Sequence, residues 1–291
     1  MRRSATVAGR PFSSFSLLVV VLCLIPACAG PSVRPTEPPT PLNFAEILDY
    51  AKRSALAYQD DAAIRRASPP DNRISVSGPM ASGVKVYVET DDARRRQWIV
   101  VRGTANLANA KLDADYNQVV DSRLRIPLHK GFADAAIRVY GFAKPLLKPG
   151  YETRVTGHSL GGAAAVIVLM LLKEDGVVLG PAITFGQPKV TNRDGSRKYR
   201  SLPLLRIVND QDPVPLLPPL DLFSLLDEGP YQHFGPEVVL KDGAGYLYFA
   251  DHQAQRRSVT SFWDTLGNQD LPDHAIAQYV QNLQVKAGAP R

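Results

Sequence analysis

The chain has 291 residues, 45% of them hydrophobic and 21% charged, which is ordinary globular usage and enough apolar material for a sizeable core. Its formal net charge is +6, but the first 27 residues supply three arginines and no acid, so the rest carries a mild excess that gives no argument for a nucleic-acid partner. Both cysteines, Cys23 and Cys28, lie near that leading stretch, so no disulfide and no cysteine metal site can form within the remainder.

In chain order, a basic start (MRRSATVAGR) is followed by the apolar run Phe15–Ala27, FSLLVVVLCLIPA. That run is shorter than the roughly 20 residues a spanning helix needs, and residues 1–27 read as a secretory signal. Ile25-Pro26-Ala27-Cys28 resembles a bacterial lipoprotein box, which implies lipidation at Cys28 and a membrane anchor. By the same resemblance, Ala29 after the cysteine implies the outer membrane. An ordinary cleavable signal, giving a periplasmic or secreted protein, and an uncleaved signal anchor are the alternatives. Pro31–Pro41, PSVRPTEPPTP, has almost nothing to bury and reads as a semi-extended tether, so residues 28–41 form the linker and 42–291 the folded domain.

Within that domain Asn43 can cap a helix to about Tyr58, with Phe44, Ile47, Leu48, Ala51, Ala55 and Tyr58 on one face. Val84–Glu89 alternates like a strand, and Gln97–Val101 (QWIVV) is a short apolar run, as a strand covered on both faces would be. A helix is expected over Phe132–Leu147, a strand over Thr153–Thr156 and an apolar helix over Leu160–Leu172. Ala182–Phe185 and Leu204–Val208 read as buried strands, Val238–Leu240 and Tyr246–Phe249 as a hairpin, and Asp273–Leu283 as a closing helix. Arg94–Arg96 and Arg256–Arg257 read as solvated faces. Strands alternating with helices predict an α/β fold with a mostly parallel central sheet and helices on both faces.

Gly157-His158-Ser159-Leu160-Gly161 fits G-x-S-x-G between a predicted strand and a predicted helix, the context of a nucleophile elbow. There the serine stands clear of the sheet, and the flanking glycines leave room for the tight strand–helix crossing. The helix N-terminus also supplies N–H groups for a developing oxyanion, the Leu160 N–H first among them. A serine hydroxyl needs a base and an acid, in the order Ser, Asp/Glu, His for this fold. Asp210 and Asp212 follow the strand LLRIV, and His233, His252 and His274 follow later. His158, adjacent to the serine on a sharp turn, points away from it and reads as a buried, hydrogen-bonded histidine.

TGHSLGGAAA, FGQPKVTN (Phe185–Asn192), RIVNDQDPVPLLPP (Arg206–Pro219), VVRGT (Val100–Thr104) and HKGF (His129–Phe132) together resemble the class 3 lipases, the fungal triacylglycerol lipase-like α/β-hydrolases. The resemblance runs from Phe44 to Leu283. It implies an α/β-hydrolase fold and a triad of Ser159, Asp212 (chosen over Asp210 by the D-x-V-P pattern) and His274, in the context Pro272–Tyr279. His252 is the alternative base, and His233 reads as structural. The resemblance further implies Thr104 as the second oxyanion donor beside Leu160, and Asp113, with Asp115 close by, as its support. His129 would seat the loop before its helix.

The implied activity is hydrolysis of carboxylic esters of lipids through an acyl-enzyme, with no metal and no organic cofactor. Phospholipase, short-chain esterase and carbohydrate esterase chemistry would use the same triad, and a non-catalytic envelope lipoprotein on a hydrolase scaffold is the alternative of another class. Two segments are candidates for an apolar cover over the serine, Ala105–Val120 and Leu216–Tyr231. The expected partners are a lipid or other ester substrate and a membrane; the sequence does not set the oligomeric state.

Overall fold

The computed structural model describes residues 34–80, 83–104, 117–218, 229–251, 253–254 and 272–288. The chain enters through helix α1 (Phe44–Leu56), where the Asn43 side chain accepts from the Glu46 N–H, and α2 (Asp61–Ala67), capped by Asp60. Strands β1 (Arg73–Val76), β2 (Lys85–Asp91) and β3 (Arg96–Arg102) follow, then β4 (Gln118–Val120), β5 (Pro127–His129) and helix α3 (Lys130–Ala143). Next come β6 (Glu152–His158), α4 (Leu160–Glu174), β7 (Leu179–Phe185), β8 (Thr191–Asn192), α5 (Arg193–Tyr199) and β9 (Leu204–Asn209). The short β10 (Tyr231–Gln232), the hairpin β11 (Glu237–Leu240) and β12 (Tyr246–Phe249), and α6 (Ile276–Gly288) complete the order.

Among the described residues, eight strands form the main sheet in the order β1-β2-β3-β6-β7-β9-β11-β12. Its centre, β3 to β11, is parallel, and antiparallel strands flank it on both sides. Strand periodicity sends alternate side chains to two cores. Val86, Val88, Ile99, Val101 and Val155 meet α3 and α4 on one face. Tyr87, Trp98, Val100, Ile183, Phe185 and Ile207 meet α1 and α6 on the other, against Ile47, Tyr50, Tyr279 and Leu283. Cover on both faces is why QWIVV reads as an unbroken apolar run. Helix α4 is apolar all round, and every residue from Gly161 to Leu172 is buried, as a helix packed between a sheet and another helix must be.

Helices α2 and α5 and strand β1 were not expected from the sequence, and two further features add to the reading. A second, four-stranded antiparallel sheet, β10-β8-β5-β4, was not expected; its strands have two or three residues, too short for any alternation to register. The edge of the main sheet also reaches back before Leu42: the Thr36 N–H donates to the Tyr248 carbonyl at 2.9 Å. A proline-rich segment has little to bury, yet the open edge of β12 has backbone groups to satisfy, and Thr36 takes one of them.

Candidate active site

The parallel strands β3, β6, β7 and β9 end side by side, with Val101 opposite Gly157, His158 opposite Phe185 and Phe185 opposite Ile207. Side chains in the turns just beyond those C-terminal ends therefore converge, as in open α/β sheets generally. Ser159 sits in the turn from β6 into α4 with φ 60° and ψ −134°, a left-handed conformation that is strained for a residue with a side chain. Its N–H is held by the Phe185 carbonyl at 2.9 Å and its carbonyl accepts from Ala163 at 3.1 Å.

The crossing is tight on both flanks. A Cβ at Gly157 would lie 2.4 Å from the Gly161 carbonyl oxygen, and one at Gly161 would lie 2.4 Å from that of Val101. Backbone occupies the space that any larger residue at either position would need.

Asp212 lies in the loop after β9, and His274 in a short turn, Pro272–His274, that leads into α6. The His274 Nδ1 approaches both Asp212 oxygens, at 3.0 Å and 2.8 Å. Asp212 also accepts from the Tyr279 hydroxyl at 2.6 Å and from the Val214 N–H at 2.9 Å. Burial pushes the Asp212 carboxyl up, but the His274 ring and the hydrogen bonds from His274, Tyr279 and Val214 outweigh it and hold the carboxyl below its usual value. An ionised carboxylate only accepts, so the His274 Nδ1 carries the hydrogen and Nε2 presents a lone pair. The Tyr279 phenol, raised well above its ordinary value by burial and then by the Asp212 charge, stays a donor.

Three buried polar atoms here have no hydrogen-bond partner among the described residues: Ser159 Oγ, His274 Nε2 and Thr104 Oγ1. Buried polar atoms are normally satisfied, so three orphans at converging loop ends mark a place built for something else to bind. The Leu160 N–H, in the first turn of α4, has no acceptor within its helix. The arrangement thus offers a hydroxyl, a ring lone pair backed by a carboxylate, and two donors at the end of β3 and the start of α4. It has the parts for nucleophilic acyl transfer.

The remaining sequence candidates fall as follows. His233 is buried away from this set, its Nε2 2.7 Å from the Pro215 carbonyl. His129 is buried at the start of α3 and stacks on Phe132 with ring centroids 3.9 Å apart. Asp113, Asp115, His252 and Cys28 lie outside the described residues, as do 105–116 and 219–228 of the two cover segments. The described end of the first segment places Val119 and Val120 on the exposed strand β4, and the described start of the second is buried.

Sequence reading passed over Lys189, although it stands in the quoted FGQPKVTN stretch. This lysine is buried, and its Nζ donates to the Leu216 and Pro218 carbonyls at 2.7 Å and 3.0 Å, clamping the loop that follows Asp212. Burial, then the charge of Arg206, brings its ammonium down to about 7. It placed Tyr58 on the apolar face of the first helix but gave its hydroxyl no role; that hydroxyl lies 2.8 Å from the His158 Nδ1.

Residues 98–222 match the family model described as lipase (class 3). Among curated proteins, the chain is 32% identical over 177 residues to secreted mono- and diacylglycerol lipase 1 of Fusarium solani, covering 56% of this chain and 49% of that protein. It is 25% identical over 276 residues to a lipase of Rhizopus niveus, covering 86% of this chain and 66% of that protein. The chain thus spans less than two thirds of the length of these relatives.

Among solved structures, lipase II from Rhizopus niveus matches with a TM-score of 0.63 at 25% identity, over 80% of this chain and 96% of its own. A triacylglycerol lipase whose catalytic centre is described as a serine protease triad matches with a TM-score of 0.55 at 25% identity, over 70% and 83% of the two chains. The mostly parallel sheet with helices on both faces is the α/β-hydrolase fold of these neighbours.

Proposed function

We propose that the chain, whose residues 98–222 match the class 3 lipase family model, is a serine ester hydrolase acting on carboxylic esters of lipids, acylglycerols first among them. The observation that carries this reading is the contact of the His274 Nδ1 with Asp212 while Nε2 and the Ser159 Oγ are buried without a partner among the described residues. His274 lies beyond the matched span, so its assignment stands on that contact.

In the proposed mechanism, Ser159 Oγ attacks the ester carbonyl and its proton passes to the His274 Nε2. The negative charge that develops on the carbonyl oxygen is held by the Leu160 N–H and by Thr104, through its N–H and its hydroxyl. Asp212 orients the ring and stabilises the imidazolium. Collapse breaks the bond to the alcohol, which leaves with the proton from His274, and the acyl group remains on Ser159. Water then gives a proton to His274 and attacks the acyl carbon; collapse returns that proton to Ser159 Oγ and frees the acid.

Support for lipid esters comes from the relatives, among them a phospholipase A1 of Arabidopsis thaliana that is 28% identical over 152 residues. That similarity favours phospholipid as the second substrate class. Export, by the signal read at residues 1–27, belongs to the same proposal, supported by the Fusarium relative being named a secreted lipase. Anchoring through Cys28 rests on the sequence resemblance alone.

The test is turnover of p-nitrophenyl esters from acetate to palmitate by the full chain, with and without micelles, beside Ser159→Ala. Turnover that vanishes in the variant supports the reading, and the chain-length optimum separates lipase from short-chain esterase. A folded chain that turns over none of these esters, phospholipids or acylglycerols overturns it in favour of a non-catalytic scaffold.

A further inference from the structure

The residue before the serine is buried, and its two ring nitrogens reach in different directions. His158 Nε2 lies 2.6 Å from the main-chain oxygen of His274, and Nδ1 lies 2.8 Å from the Tyr58 hydroxyl. A carbonyl only accepts, so Nε2 carries the hydrogen and donates it. Nδ1 is then a bare lone pair, and Tyr58 donates to it. Burial, then the neighbouring His274, brings the His158 ring down to about 3, so it is neutral near pH 7 and its tautomer is set by these two bonds.

Tyr58 stands in turn against the end of β3. A Cβ at Gly103 would lie 3.1 Å from the Tyr58 hydroxyl oxygen and 2.8 Å from the His158 carbonyl oxygen, and Gly103 directly precedes Thr104. The His158 ring also packs on that of His274, with centroids 4.6 Å apart. One chain of contacts, Gly103–Tyr58–His158–His274, therefore runs past Ser159 from the strand that carries Thr104 to the backbone of the base.

Asp212 fixes His274 at its ring and His158 fixes it at its carbonyl. Two fixed points on one residue leave its side-chain torsions little freedom and so decide where Nε2 is aimed. Misplacing a reacting group by about 1 Å can cost on the order of 10²-fold in rate. We propose that His158 and Tyr58 are positioning residues for ester hydrolysis: the His158 Nε2–H bond to the His274 carbonyl aims the base at Ser159, and Tyr58 ties that bond to the strand end at Gly103. This rests on the reading of Ser159 as nucleophile and His274 as base. His158 itself exchanges no proton in the reaction, since both its nitrogens are engaged.

The test uses the full chain, a p-nitrophenyl ester and three variants, with Ser159→Ala as the blank and a melting temperature for each protein. His158→Gln carries an amide N–H out to about the level of Nε2 and keeps a donor for the His274 carbonyl. His158→Asn stops at the level of Nδ1 and loses it. Tyr58→Phe removes the donor to Nδ1 and releases the tautomer.

The expected result is a kcat about 30- to 100-fold lower for His158→Asn with KM within about threefold of the parent, and recovery to within about fivefold in His158→Gln. Tyr58→Phe is expected to lose about three- to tenfold in kcat, and it carries the test if His158→Asn does not fold. The proposal is overturned if Asn and Gln fall together, if neither changes kcat, or if Tyr58→Phe matches the parent. If the parent itself is folded and hydrolyses no ester, the ester-hydrolase reading falls, and this proposal with it. A parent that turns over while Asn and Gln behave alike removes only the positioning role.

Discussion

The Tyr279 hydroxyl donates to the Asp212 Oδ2 at 2.6 Å, and both residues are buried. The same phenol oxygen accepts from the Asn209 N–H at 3.1 Å, so one side chain from α6 braces the end of β9 and the carboxylate beyond it. Tyr279→Phe keeps the ring and deletes both bonds. Hydrogen bonds to charged groups are worth about 1.5–3 kcal/mol, so urea unfolding should show a loss of about 1–3 kcal/mol. Ester turnover should fall about tenfold, mainly in kcat, because Asp212 would keep fewer donors while it holds His274. Unchanged unfolding and turnover would count against this role.

Thr104→Val tests the hydroxyl at the end of β3, whose Oγ1 is buried without a partner among the described residues. Valine preserves the shape and removes only the O–H. If the hydroxyl meets the oxyanion, kcat should drop by about 10²-fold with KM little changed, the usual cost of losing one such donor. A change below twofold would leave the backbone N–H as the sole contribution of Thr104.

Lys189→Met should loosen the loop after Asp212. Nζ satisfies two buried carbonyls, those of Leu216 and Pro218, and methionine satisfies neither. The unfolding free energy should fall by about 1–3 kcal/mol, the cost of leaving such groups unpaired. Equal stability of variant and parent in urea would show that the clamp contributes nothing net.

Acid should destabilise the fold well above the carboxylate range. Burial, then the neighbouring His274, lowers His158 to about 3, and burial, then Arg206 and Lys189, holds His233 well below its ordinary value. Both are neutral when folded, whereas in the unfolded chain they take up protons near pH 6.5. The unfolded state therefore binds more protons below pH 6.5, and stability falls with falling pH from there until the folded-state value is reached. Between pH 6.5 and 4.5 each histidine should remove roughly 2 kcal/mol. Urea midpoints across that range check the slope; a flat profile would mean that the two rings are not held neutral.

The parallel core was legible because burial on both faces leaves a plain mark: Gln97–Val101, Ala182–Phe185 and Leu204–Val208 are apolar runs that the structure extends by one to three residues at their ends. The elbow was legible because its G-x-S-x-G pattern is local and lies between a strand and a helix, although Gly161 makes its close contact with the distant Val101. Tyr58 and Lys189 were not. Each acts on a partner brought near only by the sheet order, and a lysine is by default a surface residue, so nothing local marks Lys189 as a buried donor. His158 read correctly as buried and hydrogen-bonded, but its partners, at the end of α1 and in the turn before α6, lie far away in the chain.

The most direct test of the central claim is covalent labelling of the full chain with a fluorophosphonate, followed by intact mass and peptide mapping. The account predicts a single adduct on Ser159, absent in Ser159→Ala and formed far more slowly in His274→Ala and Asp212→Asn. A folded chain that takes up no label, or takes it up at another residue, would contradict it.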